Sequence, residues 1–254
     1  MNPGKWVLIY AVKAFGFQSL GGESRLQLLP TPWPADALPS PTSSLLSISS
    51  SKGLLAAGGP ESIILASTDK IREAFANNAG TGVIPFEPQL IIQLRTRISQ
   101  VAFSSDDNLL VASAEIGGGL AIYDTQSLLQ GNTQTALEIP TGGVPLRALV
   151  PNPNPPAAQF FAIVTTQGDL MIADVRSGEF STGTNGQVLK NGVSSLSWSV
   201  KGKQLVAGLA DGTVIQLTPD GQKKGEIPRP PDLVGEQHGK ICLPNLRSRL
   251  YSFR

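Results

Sequence analysis

Residues 101–124 read VAFSSDDNLLVASAEIGGGLAIYD. Three apolar runs, Val101-Ala102-Phe103, Leu109 to Ser113 and Leu120 to Asp124, are separated by the polar turn Ser105 to Asn108 and the glycine turn Gly117-Gly118-Gly119. Apolar runs this short, bounded by turn formers, predict strands joined as hairpins. The pattern recurs upstream as Leu45 to Ile48, turn Ser51-Lys52-Gly53, Leu54 to Gly58, turn Gly59-Pro60-Glu61, Ile63 to Ala66. Downstream it recurs as Leu146 to Val150, a Pro-rich excursion Pro151 to Pro156, Phe160 to Val164, turn Gln167-Gly168-Asp169, Leu170 to Asp174. A fourth copy runs Val193 to Trp198, turn Lys201-Gly202-Lys203, Gln204 to Gly208, turn Asp211-Gly212, Thr213 to Leu217. The anchors Ile48, Phe103, Leu149 and Trp198 lie 55, 46 and 49 residues apart, near the ~40–50-residue period of propeller blades.

The turns supply residues that tolerate positive φ in tight hairpins, Asp211-Gly212 and Gly168 among them. Tyr123-Asp124 and Ala173-Asp174 stand where a WD-type repeat carries Trp-Asp. Two near-continuous apolar strands per unit imply burial on both faces, as in the inner strands of packed blades. A β-sandwich is the competing architecture, but its strands need not repeat in threes at a fixed period. The pattern therefore favours an all-β, partial WD-type β-propeller. Between the repeats, Pro30 to Pro41 reads as an extended segment anchored by Trp33, and Pro228, Pro230 and Pro231 form another connector. Ser67 to Phe75 permits one short helix, capped by Thr68 or Asp69, with Ile71, Ala74 and Phe75 on one face.

Composition agrees with this architecture. The 254 residues are 41% apolar and only 15% charged, with 27 Gly and 20 Pro. Few charges and many turn formers point away from helical structure. A net charge of +1 argues against a nucleic-acid-coating or membrane-surface patch, which needs clustered positive charge. The apolar stretch Trp6 to Val12 ends at Lys13 and sits at the lower limit for a signal-peptide core, so no signal is expected. No run approaches the ~18–20 apolar residues of a membrane helix, and the chain reads as soluble.

Catalytic chemistry is hard to assemble. One Cys (Cys242) and one His (His238) cannot build a Cys/His zinc site or an intrachain disulfide. Their spacing of four is that of a helical pair, but Gly239 and Pro244 disfavour a helix there. Gly117-Gly118-Gly119 precedes a strand rather than a helix, so it lacks the dipole that cradles phosphate. Asp106-Asp107 lacks the further oxygen ligands of a calcium loop and reads as a solvated turn. Lys223-Lys224 with Arg229, and Arg247, Arg249 and Arg254, form small basic patches. Aromatics are not interleaved with the first of them, so single-strand stacking is unsupported. An enzyme using a propeller channel would set His, Asp or Glu at its mouth; one His, with Asp124 and Asp174 in strand ends, makes that reading the weakest. No catalytic, cofactor-binding or metal-binding residue is assigned, and the partner-binding residues stay unassigned. What remains is an interaction scaffold with its function on loops and blade rims, whether at one assembly or in another such as a ligase adaptor or a trafficking coat.

The order of certain strings is more specific than any one of them. Phe15-Gly16-Phe17, Leu28-Leu29 to Pro34, Ser44 to Ile48 through Lys52 to Gly58, Ala66-Ser67-Thr68, Val101 to Ser104, Leu196 to Leu205, Gly212 to Gln216, Ile227-Pro228 and Pro230-Pro231 together resemble the N-terminal propeller of the cytoplasmic-filament nucleoporin that docks the DEAD-box mRNA-export helicase, in its fungal form. The resemblance covers about residues 15–238. It implies about four to five blades of a seven-bladed, non-enzymatic ring at the cytoplasmic face of the nuclear pore. It implies protein partners, a DEAD-box RNA helicase and other nucleoporins, with no direct nucleic acid, no membrane insertion, no small-molecule substrate and no cofactor. The helicase-docking surface would lie on later blades than these. Residues 1–14 and 239–254 depart from the pattern and are expected to be divergent terminal segments, as in a truncated or mis-spliced gene product. Terminal blades of an open arc would expose faces that closure normally buries. At roughly 25 cal/mol per Å² over several hundred Å², such a face is worth on the order of 10 kcal/mol, so the isolated chain is expected to be marginal, oligomeric or aggregation-prone.

Overall fold

The computed structural model describes residues 24–78, 82–181 and 192–228. The N-terminal segment 1–14, Phe15-Gly16-Phe17, the 239–254 tail, His238, Cys242, Pro230, Pro231, Arg229, Arg247, Arg249 and Arg254 all lie outside these residues.

The chain opens with β1 (Ser24–Gln27). The first blade follows as β2 (Leu46–Ser49), β3 (Leu54–Gly58) and β4 (Ser62–Ser67), then helix α1 (Thr68–Asn77) and β5 (Gly82–Pro85), and ends with β6 (Leu90–Gln93). The second comprises β7 (Ile98–Phe103), β8 (Leu109–Ala114), β9 (Leu120–Asp124), helix α2 (Thr125–Leu129) and β10 (Leu137–Ile139). The third comprises β11 (Leu146–Pro151), β12 (Phe160–Thr165), β13 (Leu170–Asp174) and β14 (Glu179–Ser181). The fourth comprises β15 (Val193–Trp198), β16 (Leu205–Leu209), β17 (Val214–Leu217) and β18 (Lys223–Ile227). Each blade is a four-stranded antiparallel sheet whose strands are neighbours in chain order. The first strands begin at Leu46, Ile98, Leu146 and Val193, about 50 residues apart, as the sequence period predicts. β1 pairs in parallel with β5, which forms a small sheet outside the blades.

Side chains alternate across each strand, so a central strand feeds two cores. β8 and β12 are buried along almost their whole length, and the near-continuous apolar runs have this cause. The first core joins Leu54, Ile63 and Leu65 to Val101, Phe103 and Leu110. The second joins Val111, Ile122 and Ile139 to Leu149, Phe161 and Ile163. The third joins Ala162, Val164 and Ile172 to Leu205, Ala207 and Ile215. Hydrogen bonds stitch the first strands together. The Phe103 N–H donates to the Ser47 hydroxyl at 3.0 Å, the Ser99 hydroxyl donates to the Leu146 carbonyl at 3.0 Å, and Arg147 donates to the Val193 carbonyl.

The four blades form an open arc: among the described residues no strand of the first blade pairs with one of the fourth. The two ends differ chemically. The free face of the first blade carries Leu46 and Ile48, 62% and 61% exposed, beside Leu55. The free face of the fourth carries Ser195, Ser197 and Gln216 around Val206.

Two local expectations are corrected, and one further element appears. The units hold four strands, not three; among the described residues the missed strands β6, β10, β14 and β18 are outer edges paired on one side only, and β6 does carry an apolar run, Leu90-Ile91-Ile92, with Ile92 buried. The cap of α1 is Ser67, whose hydroxyl accepts from the Lys70 N–H at 3.4 Å, rather than Thr68 or Asp69. Thr68 instead donates to the Gly53 carbonyl, and Asp69 pairs with Arg72 at 2.8 Å. The expected face Ile71, Ala74 and Phe75 is the half-buried one. Finally, α2 follows directly on β9, because the Asp124 carboxylate accepts from both the N–H and the hydroxyl of Ser127 at 2.7 Å. No described helix is long and apolar enough to cross a membrane.

Candidate interaction surface

The first hairpin of each blade turns at one end of the arc, and these turns lock neighbouring blades together. Asp107 is a non-glycine residue with φ +60°, and its carboxylate accepts from the Ser51 N–H of the first blade at 2.8 Å. Asp106 reaches the other way: it accepts from Arg176 of the third blade at 2.8 Å. The Asn152 amide donates to the Gly202 carbonyl at 3.0 Å, and the Trp198 indole N–H donates to the Val150 carbonyl at 3.1 Å. The Asp106-Asp107 pair thus ties the second blade to both neighbours. It is not the solvated turn expected from sequence: the Asp106 side chain is only 14% exposed. Asp174 accepts from the N–H groups of Arg176 and Ser177; like Asp124, it shapes the turn after its strand. Lys223 and Lys224 are exposed on the edge strand β18, with Lys223 paired to Glu226. Among the described residues no group of three or more His, Cys, Asp or Glu could hold a metal ion.

The Asp106 carboxyl carries a pH dependence. Burial by itself would raise it, but the Ser104 hydroxyl, the Asn108 N–H and amide, and the Arg176 guanidinium together outweigh burial and hold it below the ordinary carboxylate value. A depressed folded-state value favours the native state above the unfolded value of about 3.9, and that contribution is lost as pH falls through the folded value. The melting temperature of the native chain should exceed that of Asp106→Asn at neutral pH, and the gap should close on acidification below about pH 4. Thermal melts of both proteins from pH 7 to pH 2.5 read this directly; a gap that widens in acid would refute it.

The opposite end of the arc is less tightly closed. A groove of about 770 Å³ runs between the connector after β6 and the outer strands of the second blade. Its floor includes Ala112 and Ala121, which pair across β8 and β9. The equivalent pair in the third blade is Ile163 and Met171, and both side chains fill the second core. Small residues at these two positions therefore open the groove. Gly117, Gly118 and Gly119 form one wall as the β8–β9 turn, all with positive φ. Gly118 leaves room for Thr141, whose hydroxyl accepts from the Gly119 N–H and donates to the Val144 carbonyl, both at 2.7 Å. The glycine run is the hairpin turn that the sequence predicts.

Comparison with known proteins gives this architecture a family. The family model described as NUP159/214 beta propeller matches residues 39–245. Nucleoporin NUP159 of Chaetomium thermophilum is 48% identical over 240 residues, 94% of this chain and 16% of that protein. Nuclear pore complex protein Nup214 of Homo sapiens is 27% identical over 233 residues, 87% of this chain and 10% of that protein. The chain thus spans less than a fifth of the length of these relatives. Among solved structures, the N-terminal domain of Nup159 superposes with a TM-score of 0.55 at 19% identity, covering 78% of this chain and 47% of that one. A complex described as S. cerevisiae Dbp5 bound to Nup159, Gle1, IP6 and ADP gives a TM-score of 0.57 at 17% identity, covering 84% and 56%. At these identities the superpositions establish the fold. A four-blade arc with this repeat period, matched by the family model over most of its length, belongs to the NUP159/214 β-propeller family of nucleoporins.

Proposed function

We propose that the chain is a non-enzymatic docking platform at the cytoplasmic face of the nuclear pore complex, where it helps recruit a DEAD-box RNA helicase for mRNA export. The observation that carries this reading is the 48% identity to a Nup159 over 94% of the chain, joined to a solved complex in which Nup159 is bound with Dbp5. The surface chemistry is compatible with protein partners: the net charge is +1, and RNA would be met through the helicase. Rigid blades joined at every first hairpin present turns in fixed positions, as a docking scaffold requires.

The test is affinity purification of the endogenous protein that contains this sequence, with and without residues 44–217. Recovery of a DEAD-box helicase that depends on those residues is the expected result. Recovery of ligase or coat components without helicase would overturn the proposal.

A further inference from the structure

The two free ends of the arc are the two halves of one joint. At each joint within the arc, the first strand of the later blade turns apolar side chains toward the earlier blade: Val101 and Phe103 on β7, Leu149 on β11, Leu196 and Trp198 on β15. Leu46 and Ile48 of β2 hold the same register, since Ile48 pairs with Leu55 as Phe103 pairs with Leu110. No blade precedes them among the described residues, and they stay exposed. The earlier blade of each joint answers with a small apolar residue on its second strand: Ala56, Val111 or Ala162. Val206 holds that register in the fourth blade, where it pairs with Ser197 as Ala56 pairs with Ser47. Ser47 accepts from the Phe103 N–H at the first joint, and Ser197 is the same residue type in the same place.

The turns complement each other in charge. Asp106 of the second blade pairs with Arg176 of the third at 2.8 Å. The fourth blade's first hairpin has the same build. The Ser199 N–H donates to the Gln204 carbonyl as that of Ser104 does to Leu109, and Gly202 shares the positive φ of Asp107. Lys201 therefore stands where Asp106 does. In the first blade Ser67 pairs with Leu54 as Asp174 pairs with Phe160, so Asp69 stands where Arg176 does. At the free ends the pair is reversed, with the cation on the fourth blade and the anion on the first. Lys201 forms no ion pair among the described residues, and Asp69 holds Arg72 in an exposed pair of the weak kind.

We propose that two copies of this chain close on each other head to tail, the fourth blade of each seated on the first blade of the other. Leu46 and Ile48 of one copy cover Val206 of the other. Val200, 89% exposed at the position where Ser105 is half-buried, is covered at the same time. Lys201 of one copy meets Asp69 of the other, and the Ser197 hydroxyl accepts from the Ile48 N–H. Two such joints form at once under two-fold symmetry, so association stops at the dimer instead of growing into a filament. The resulting ring of eight blades lies within the range of four to eight that propellers adopt. This pairing is separate from the helicase reading and stands or falls without it.

The experiment uses the full chain in sedimentation velocity over a concentration series, where the expected species is a dimer with no ladder above it. Lys201→Asp or Asp69→Arg alone sets like charges at both joints and should weaken dimerisation at least ~10-fold. The double variant Lys201→Asp, Asp69→Arg rebuilds the pair seen between Asp106 and Arg176 and should bring the dimer constant back to within roughly threefold of the unaltered chain. Ile48→Asp, at an exposed position, should leave monomer alone while the circular dichroism spectrum is retained. A monomer at every concentration would leave the two ends to another partner and overturn the proposal. So would a ladder of higher species, or a dimer indifferent to both charge changes, as apolar first-blade faces meeting each other would give.

Discussion

Replacing Phe161 with alanine should lower the unfolding free energy by about 3–5 kcal/mol, the range for removing a buried phenylalanine from a packed core. Phe161 has no exposed surface and stands in the core between the second and third blades, with Val111, Ile122 and Leu149. Its strand neighbour Phe160 points to the opposite face and packs, half-buried, against the core between the third and fourth blades. Adjacent phenylalanines thus serve different blade junctions. The surroundings of Phe161 are strands tied by ladders on both sides, so they cannot collapse into the vacated space, and the cost should fall at the upper part of the range. For a domain of ordinary stability this is a third or more of the total, given about 5–15 kcal/mol. Urea unfolding followed by tryptophan fluorescence should show a lower midpoint with an unchanged slope. Phe160→Ala should cost clearly less. A loss below about 1 kcal/mol for Phe161→Ala would mean that the junction repacks freely.

The second large effect is expected at Gly202. Its φ is +64°, and a Cβ there would lie 2.0 Å from Asn152 Oδ1 and 2.7 Å from Asn154 Cβ. Asn152 cannot swing aside: it is fully buried, its amide donates to the Gly202 carbonyl, and its Oδ1 accepts from the Asn154 N–H at 2.9 Å. Gly202→Ala therefore combines left-handed strain with overpacking, for a loss of about 2–4 kcal/mol. Gly142 supplies the control. Its φ is +65°, yet nothing lies within 4 Å of the added Cβ, so Gly142→Ala should show strain alone, about 1–2 kcal/mol. The difference between the two variants measures the contact between the third and fourth blades. Equal losses would show that Asn152 does not hold that junction.

How much of this was legible in sequence depended on where each strand sits in its blade. The inner three strands are buried on one or both faces, so their apolar runs and intervening turns could be read directly. An outer strand has one neighbour and a wet edge. Glu179-Phe180-Ser181 and Lys223 to Ile227 carry no apolar alternation strong enough to see, and the two lysines suit an exposed edge. Helix α2 is five residues long, too short for periodicity to appear; only Asp124 as its cap betrays it. The Asp106–Arg176 pair joins residues 70 apart, and no local pattern encodes such a pairing. The groove was hidden for a related reason. Ala112 and Ala121 read as ordinary strand residues until the third blade shows what larger side chains occupy the same register. The resemblance carried by Ser44 to Gly58 and Leu196 to Leu205 gave the family, because ordered strings survive where single residues are generic.

Among the described residues every blade sheet draws its four strands from one local stretch of chain, broken only in the first blade, where α1 and β5 intervene before β6. On the ribosome each sheet can therefore complete as soon as its own outer strand emerges, and it then offers a finished apolar face on which the next is templated. Within a blade the contacts are local, which favours fast formation, whereas the joints between blades form later and in order from the N-terminus. The first blade is the slow member of the series, since α1 and β5 must leave the tunnel between its third and fourth strands. A pause in translation placed once Gln93 has left the tunnel would give that sheet time to close before its successor appears.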